Sequence, residues 1–230
     1  MTFVLIPGAG GQAWYFHRLV PELRARGQEA IAVDLPAGDN SAGLVQYADA
    51  VIDAIGDRKD ITLVAQSLGG FTAPLVCERA DVSLLIMLNA MTPLPGEPPA
   101  AWWEATGHAE AKAENAAREG RPAGFDLMAD FFHDVPQDVI DKAMAQGEPD
   151  QSMTPMQTPW PLDGWPEVPT RFLQGRDDRF FPLEFQRRVV KERLALDVDE
   201  MPGGHLVALS RPTELAARLE AYRTAQAAAG

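Results

Sequence analysis

Ile61-Thr62-Leu63-Val64-Ala65-Gln66-Ser67-Leu68-Gly69-Gly70-Phe71 carries two kinds of order in succession. An apolar run rich in β-branched residues ends at Ala65-Gln66, and a helical pattern follows from Leu68 through Arg79. The segment therefore predicts a strand, a sharp turn and a helix, with Ser67 at the apex. Ala65 and Gly69, two residues to either side, are small. A serine on so tight a turn has strained backbone, and bulk at those flanks would collide with the adjoining strand and helix. The turn pushes the hydroxyl out above the sheet. It also leaves the Leu68 N–H at a helix N-terminus, aimed at the same space.

On either side, short apolar runs alternate with helical patterns. Strands are predicted at Thr2–Ile6, Ala30–Val33, Ile61–Ala65, Leu84–Leu88, Thr170–Gln174 and Leu196–Met201. Helices are predicted near Ala13–Arg26, Ser41–Ile55, Leu68–Arg79, Pro182–Arg193 and Thr213–Thr224, with residues 225–230 expected to fray. This alternation predicts an α/β fold with a mostly parallel sheet of about six strands flanked by helices on both faces. The interval from Leu88 to Thr170 is far longer than a strand-to-helix connection needs. Proline clusters bound it, Thr92–Pro99 at one end and Thr158–Pro166 at the other. Helical patterns lie within it near Ala100–Glu119, Asp126–Phe132 and Gln137–Gln146. The expectation is a core of residues 1–91 and 168–230 with a helical cap, residues 92–167, inserted before the penultimate strand.

The 230 residues suffice for one such domain, and 46 % hydrophobic with 23 % charged content is the balance of a globular protein. A net charge of −13 opposes nucleic acid, anionic membrane and strongly anionic substrates as partners, and leaves a small molecule as the expected one. Cys77 is the only cysteine, so no internal disulfide can form and a reducing compartment is expected. It falls in the apolar stretch of the helix after Ser67, which favours a core role. A strand pattern begins at Thr2 with no charged leader before it, and no apolar run approaches the roughly 20 residues of a membrane span. A cytoplasmic location is the resulting expectation, and nothing in the sequence sets the oligomeric state.

A serine hydroxyl is a poor nucleophile at neutral pH and needs a base that is itself oriented by a carboxylate. Of the four histidines, His205 follows the last strand in Met201-Pro202-Gly203-Gly204-His205, a glycine-loosened loop able to carry an imidazole over the sheet edge. His133, in Phe131-Phe132-His133-Asp134, is its rival, since a cap histidine can face the pocket. His17 lies in the first helix and His108 in a polar stretch of the cap. The acid is Asp177 or Asp178, in Gln174-Gly175-Arg176-Asp177-Asp178-Arg179-Phe180-Phe181-Pro182 after the penultimate strand. Either satisfies the chain order serine, acid, histidine. Their ordinary alternative is a solvated pair with Arg176 or Arg179. Asp34 comes too early and is expected to cap a turn. Pro7-Gly8-Ala9-Gly10-Gly11 after the first strand lacks the spacing of a dinucleotide loop and the lysine of a phosphate loop, so no cofactor and no metal are expected. Its glycines let backbone approach a ligand, and the Ala9 and Leu68 amides are placed to serve as a pair of oxyanion donors.

These motifs together resemble the α/β-hydrolases, over roughly residues 2–222. The segment from Phe3 to Trp14 resembles the opening of the short, lidded branch that holds the plant methyl-ester esterases and hydroxynitrile lyases, where H-G-x-x-x-G-x-W is typical. The serine turn, Gly175-x-x-Asp178-x-x-x-Pro182 and Gly204-His205 continue the match. The resemblance implies Ser67 as nucleophile, Asp178 rather than Asp177 as acid, His205 as base, and the Ala9 and Leu68 amides as the oxyanion hole. Pro7 departs from the pattern by standing where the family usually has histidine, which puts the geometry of that loop in question. The lyases of the family place a threonine in the loop and a lysine after the catalytic histidine; here those positions hold Gly8 and Leu206.

The expected activity is hydrolysis of a neutral, hydrophobic or aromatic carboxylic ester through an acyl-enzyme. The alternatives are a hydroxynitrile lyase and a ligand receptor that keeps the triad. Large apolar residues crowd the cap: Trp102, Trp103, Phe125, Met128, Phe131, Phe132, Met153, Met156, Trp160 and Trp165. Most should form the cap's own core, and the rest should wall an apolar cleft. Gly8, Trp102, Phe131, His133 and Leu206 are the candidate pocket residues.

Overall fold

The computed structural model describes residues 2–229, the last by its backbone alone. The chain runs through β1 (Thr2–Ile6), a 3-10 turn (Ala13–Phe16), α1 (Leu19–Ala25), β2 (Glu29–Ala32), α2 (Leu44–Ile55), β3 (Ile61–Gln66), α3 (Gly69–Cys77) and β4 (Val82–Leu88). Five short helices follow without an intervening strand: α4 (Pro99–Ala105), α5 (His108–Arg118), α6 (Leu127–Asp130), α7 (Gln137–Ala145) and α8 (Thr154–Gln157). The chain then closes with β5 (Thr170–Gly175), α9 (Leu183–Leu194), β6 (Val198–Met201), α10 (Val207–Ser210) and α11 (Pro212–Ala229).

The strands form one sheet in the order β2-β1-β3-β4-β5-β6, and every neighbouring pair is parallel. Side chains alternate between two cores, as a period of two requires. Val4, Ile6, Leu63, Ala65, Leu85 and Met87 face α2, α3 and α9. Phe3, Leu5, Val64, Ile86 and Leu88 face α1 and α11. In α2, buried Leu44, Tyr47, Ala48, Val51 and Ile55 make a single stripe at helical spacing. By contrast α3 is buried almost all round, so it reads as apolar on every face. The chain leaves β1 toward β2 and returns on the other side of β1 as β3. Loops at the carboxyl ends of β1 and β3 thus meet at the topological switch point, where open α/β sheets bind ligands.

Two expected helices are broken, and the breaks have local causes. The expected helix from Ala13 to Arg26 divides into the 3-10 turn and α1. Pro21 has no N–H to give, and its ring would meet the carbonyl of His17 in a continuous helix. The expected helix from Ala100 to Glu119 divides at Gly107, which adopts φ +66°. At the other end, α11 continues to Ala229 where fraying from Ala225 was expected. Among the described residues, no helix is long and apolar enough to cross a membrane. Cys77 is half-buried at the end of α3, and burial pushes its thiol pKa up to about 12.

The tightest packing lies beneath the serine turn. A Cβ on Gly70 would stand 2.0 Å from the Met91 carbonyl oxygen and 2.9 Å from the Met87 methyl carbon. Gly70→Ala should therefore cost about 3 kcal/mol, or a fall in Tm of about 6–12 °C. Gly124→Ala, where a Cβ meets nothing within 4 Å, should stay within about 0.5 kcal/mol of the parent. Thermal melts of the two variants check this, and equal Tm values would contradict it.

Candidate active site

Ser67 sits between β3 and α3 with φ +51°, a left-handed conformation that costs a non-glycine residue roughly 1–3 kcal/mol. Hydrogen bonds hold it there: Ser67 N–H donates to Leu88 O at 3.3 Å, and Ser67 O accepts from Met91 N at 3.0 Å and Gly70 N at 3.1 Å. Neighbouring backbone leaves no room for side chains. A Cβ on Gly69 would lie 2.8 Å from Pro7 O, and one on Gly8 would lie 2.7 Å from Ser67 Cβ and 3.3 Å from its Oγ. The half-buried Ser67 hydroxyl thus lies against the glycine loop that follows β1.

That loop is held from three directions. Gly11 N–H donates to Gly8 O at 3.1 Å, and Leu35 N–H donates to Gly11 O at 2.8 Å. Ala13 N–H donates to Asp34 Oδ1 at 2.7 Å, so Asp34 braces a turn and stands away from His205. The third hold is Gln151, from the segment between β4 and β5, whose Oε1 accepts from Gly10 N–H at 2.8 Å. Gly10 and Gly11 have φ +81° and +62°, which only glycine adopts at no cost. Among the described residues, neither the Ala9 N–H nor the Leu68 N–H has an acceptor.

The imidazole of His205 is 1 % exposed and meets Asp178, not Asp177. His205 Nδ1 is 2.8 Å from Asp178 Oδ2, which also accepts from Gln174 Nε2 at 3.1 Å. Asp178 Oδ1 accepts from the Phe180 and Phe181 amides, each at 2.8 Å. Asp177 is exposed; it accepts from Gly203 N–H and lies 3.9 Å from Arg176. Phe131, Phe180 and Phe181 surround the ring with centroids 4.9, 5.2 and 5.0 Å away. On its open side, His205 Nε2 is bonded by the Gln66 amide nitrogen at 3.2 Å.

Sequence reasoning missed three residues of this arrangement. Asn89, fully buried at φ +45° just after β4, donates from Nδ2 to Gly204 O and His205 O, each at 3.0 Å. Its Oδ1 accepts from Gly175 N–H at 2.6 Å, so one amide ties the ends of β4 and β5 to the histidine loop. An asparagine directly after a buried strand was its only signal, since asparagine tolerates the left-handed region. Gln66 is a buried amide that ends β3 and Gln174 one that stands next to last in β5, and alternation along a strand gives no hint of their partners.

The other histidines are placed elsewhere. His17 Nδ1 contacts Trp14 O at 2.9 Å. His108, expected in a polar stretch, is buried among Trp102, Trp103, Phe180 and Phe181, and its Nε2 lies 2.7 Å from Phe180 O. Burial pushes its pKa below the ordinary histidine value. His133 packs against Gly204 with its Nε2 unpartnered; burial lowers its pKa, and the adjacent Asp134 opposes that fall.

A cleft of about 610 Å³ opens over the glycine loop. Gly8, Gln66 and Leu206 wall it on one side, and Phe131, Phe132 and Met144 on the other. Among the described residues, Glu148 is the only charged one in its lining. Of the expected pocket residues, Gly8, Phe131 and Leu206 line this cleft, whereas Trp102 and His133 stand outside it. Trp102 is fully buried, its Nε1 donating to Thr92 O at 3.1 Å, because so large a ring completes the aromatic core under α4. A smaller aromatic pocket shares Phe125 and Phe131 with the cleft.

Residues 3–218 match the "Alpha/beta hydrolase family". The rice protein "Probable esterase PIR7A" (Oryza sativa subsp. indica) is 27 % identical over 93 % of each chain. An Arabidopsis thaliana protein named "Alpha-hydroxynitrile lyase" is 24 % identical over 96 % of each. Among solved structures, a pyrethroid hydrolase from Sphingobium faniae JZ-2 superposes with a TM-score of 0.76 at 25 % identity, covering 99 % of this chain and 98 % of its own. The parallel sheet, the serine turn at its switch point and relatives matched end to end agree: the chain belongs to the alpha/beta hydrolase family.

Proposed function

We propose that this protein is a carboxylic-ester hydrolase in which Ser67 is the nucleophile, His205 the general base and Asp178 the acid that orients it. The buried Asp178–His205 contact at 2.8 Å, joined through Gln66 to the turn that holds Ser67 at φ +51°, carries this reading. Asp178 fixes the proton on Nδ1, so Nε2 carries the lone pair that accepts the Ser67 proton during attack on the ester carbonyl. The carbonyl oxygen becomes an oxyanion that the Ala9 and Leu68 amides can bind, each donor contributing a factor of about 10²–10³ in rate. The imidazolium then protonates the departing alcohol, and water repeats the sequence on the acyl-enzyme. Residues 92–167 serve as a cap over this site, an assignment supported by Phe131, Phe132 and Met144 in the cleft wall.

The apolar cleft, whose one charged lining residue is acidic, favours a neutral and hydrophobic ester. The Arabidopsis relative keeps cyanohydrin cleavage as the second reading. Two features oppose it. Leu206 follows His205 where a cation would hold cyanide, and an anion desolvated beside leucine costs several kcal/mol. At Gly8, the place of the lyase threonine, a Cβ would lie 2.5 Å from Gln66 Oε1.

Ser67→Ala should lower hydrolysis of p-nitrophenyl acetate by about 10⁴–10⁶-fold; near-parental turnover would end the proposal. Asp178→Asn should lose on the order of 10⁴-fold by disturbing the imidazole tautomer, and Asp177→Asn about tenfold or less. Steady-state kinetics of the pair checks this, and a larger loss at Asp177 would reverse the roles. A panel of aryl and alkyl esters, lactones and mandelonitrile should give turnover on esters with a steady-state rate. Cyanide release that needs Ser67 and outpaces every ester would establish the lyase, and stoichiometric fluorophosphonate labelling without turnover would favour a receptor.

A further inference from the structure

We propose that Gln66 is a gate on His205: in the empty enzyme its carboxamide occupies the base's only free lone pair, and it must withdraw before Ser67 can be deprotonated. The proposal rests on the assignment of Ser67 and His205 above. A neutral imidazole whose Nδ1–H faces Asp178 has a single acceptor site, Nε2. Only a donor can fill it, so the Gln66 NH₂ group lies toward His205, at 3.2 Å, and its Oε1 lies toward Gly8. Gln66 and the Ser67 hydroxyl therefore compete for one lone pair.

The contact also opposes the next stage of catalysis. Once Nε2 has taken the Ser67 proton it becomes a donor, and two N–H groups cannot face each other at this distance. If the amide instead turned its oxygen to the imidazolium, it would compete with the departing alcohol for the Nε2 proton. Either way the carboxamide has to leave. The movement required is a side-chain rotation toward the cleft that Gln66 borders, since its backbone is fixed in β3 opposite Leu88. An ester entering over the glycine loop reaches the gate as it reaches Ser67. Gln66 is thus a positioning residue that keeps the imidazole oriented and its lone pair covered until substrate arrives.

The test is the rate of Ser67 labelling by a small alkyl fluorophosphonate. Gln66→Leu and Gln66→Met keep the bulk and remove the donor. Loss of one neutral hydrogen bond to the base should speed labelling roughly twofold to tenfold. Gln66→Glu should slow it, because a carboxylate at Nε2 holds the imidazolium. A merely structural role for Gln66 would slow labelling in all three variants. Parental or slower labelling in Gln66→Leu and Gln66→Met at unchanged Tm would overturn the gate. Should both variants be too unstable to assay, a crystal structure of the native chain phosphonylated at Ser67 decides. The gate requires the amide to have left Nε2, and an unchanged contact overturns it. Labelling that persists when Ser67→Ala is added to Gln66→Leu would instead refute the nucleophile assignment.

Discussion

Ser67 is squeezed between the backbones that leave β1 and β4, and its φ of +51° survives because both of its peptide groups are hydrogen-bonded to those neighbours. Adjacent strands stand only about 4.8 Å apart, so three chain ends must pass within a few ångströms of one another here. Glycines at 8, 69 and 70 make that possible. At each, an added Cβ would come within 2.8 Å of another group: Gln66 Oε1, Pro7 O and Met91 O respectively. Much of the local sequence is explained by this crowding. It also brings the Ser67 hydroxyl against the loop after β1.

A second layer of order comes from buried amides at strand ends. Asn89 and Gln174 have no charge, yet they determine where the charged and titratable groups sit. Asn89 joins Gly175 to the carbonyls of Gly204 and His205, and Gln174 supports the Asp178 oxygen that meets His205. Such groups are strong organisers because a buried amide donor left unpaired is costly, and the Nδ2 of Asn89 and the Nε2 of Gln174 are both bonded. Phe131, Phe180 and Phe181 pack around the buried imidazole of His205, and Gln66 meets its Nε2.

The segment between β4 and β5 also braces the loop after β1. Pro7 stands where the family usually has a histidine, and the glycine loop beyond it is braced instead by Gln151, whose Nε2 in turn donates to Tyr47 OH at 3.1 Å. One side chain thus connects this segment to both the loop and α2. Farther along, Lys112 and Asp130 pair at 2.9 Å while almost wholly buried, and Lys112 also donates to Gly124 O at 3.1 Å. That pairing satisfies charges that would be costly to bury singly and holds α5 against the chain entering α6. The mouth between Phe125 and Met144 is exposed and apolar.

From its sequence alone the chain was legible as an α/β fold with a serine at a strand-to-helix turn, because strand and helix periodicities are local and the central strands β1, β3 and β4 are mostly apolar. Strand ends were less legible: β2, β4 and β6 each start or end a residue or two from expectation. The helix breaks at Pro21 and Gly107 depended on backbone geometry that composition signals only weakly. Chain order left Asp177 and Asp178 open and only family resemblance separated them, whereas tertiary structure brings Asp178 alone to His205, because the turn after β5 directs one side chain inward and the other to solvent. The same holds for Asn89, Gln174 and Gln66. Their partners lie on other strands and loops, and a contact between residues far apart in the chain exists only once the sheet has set their positions.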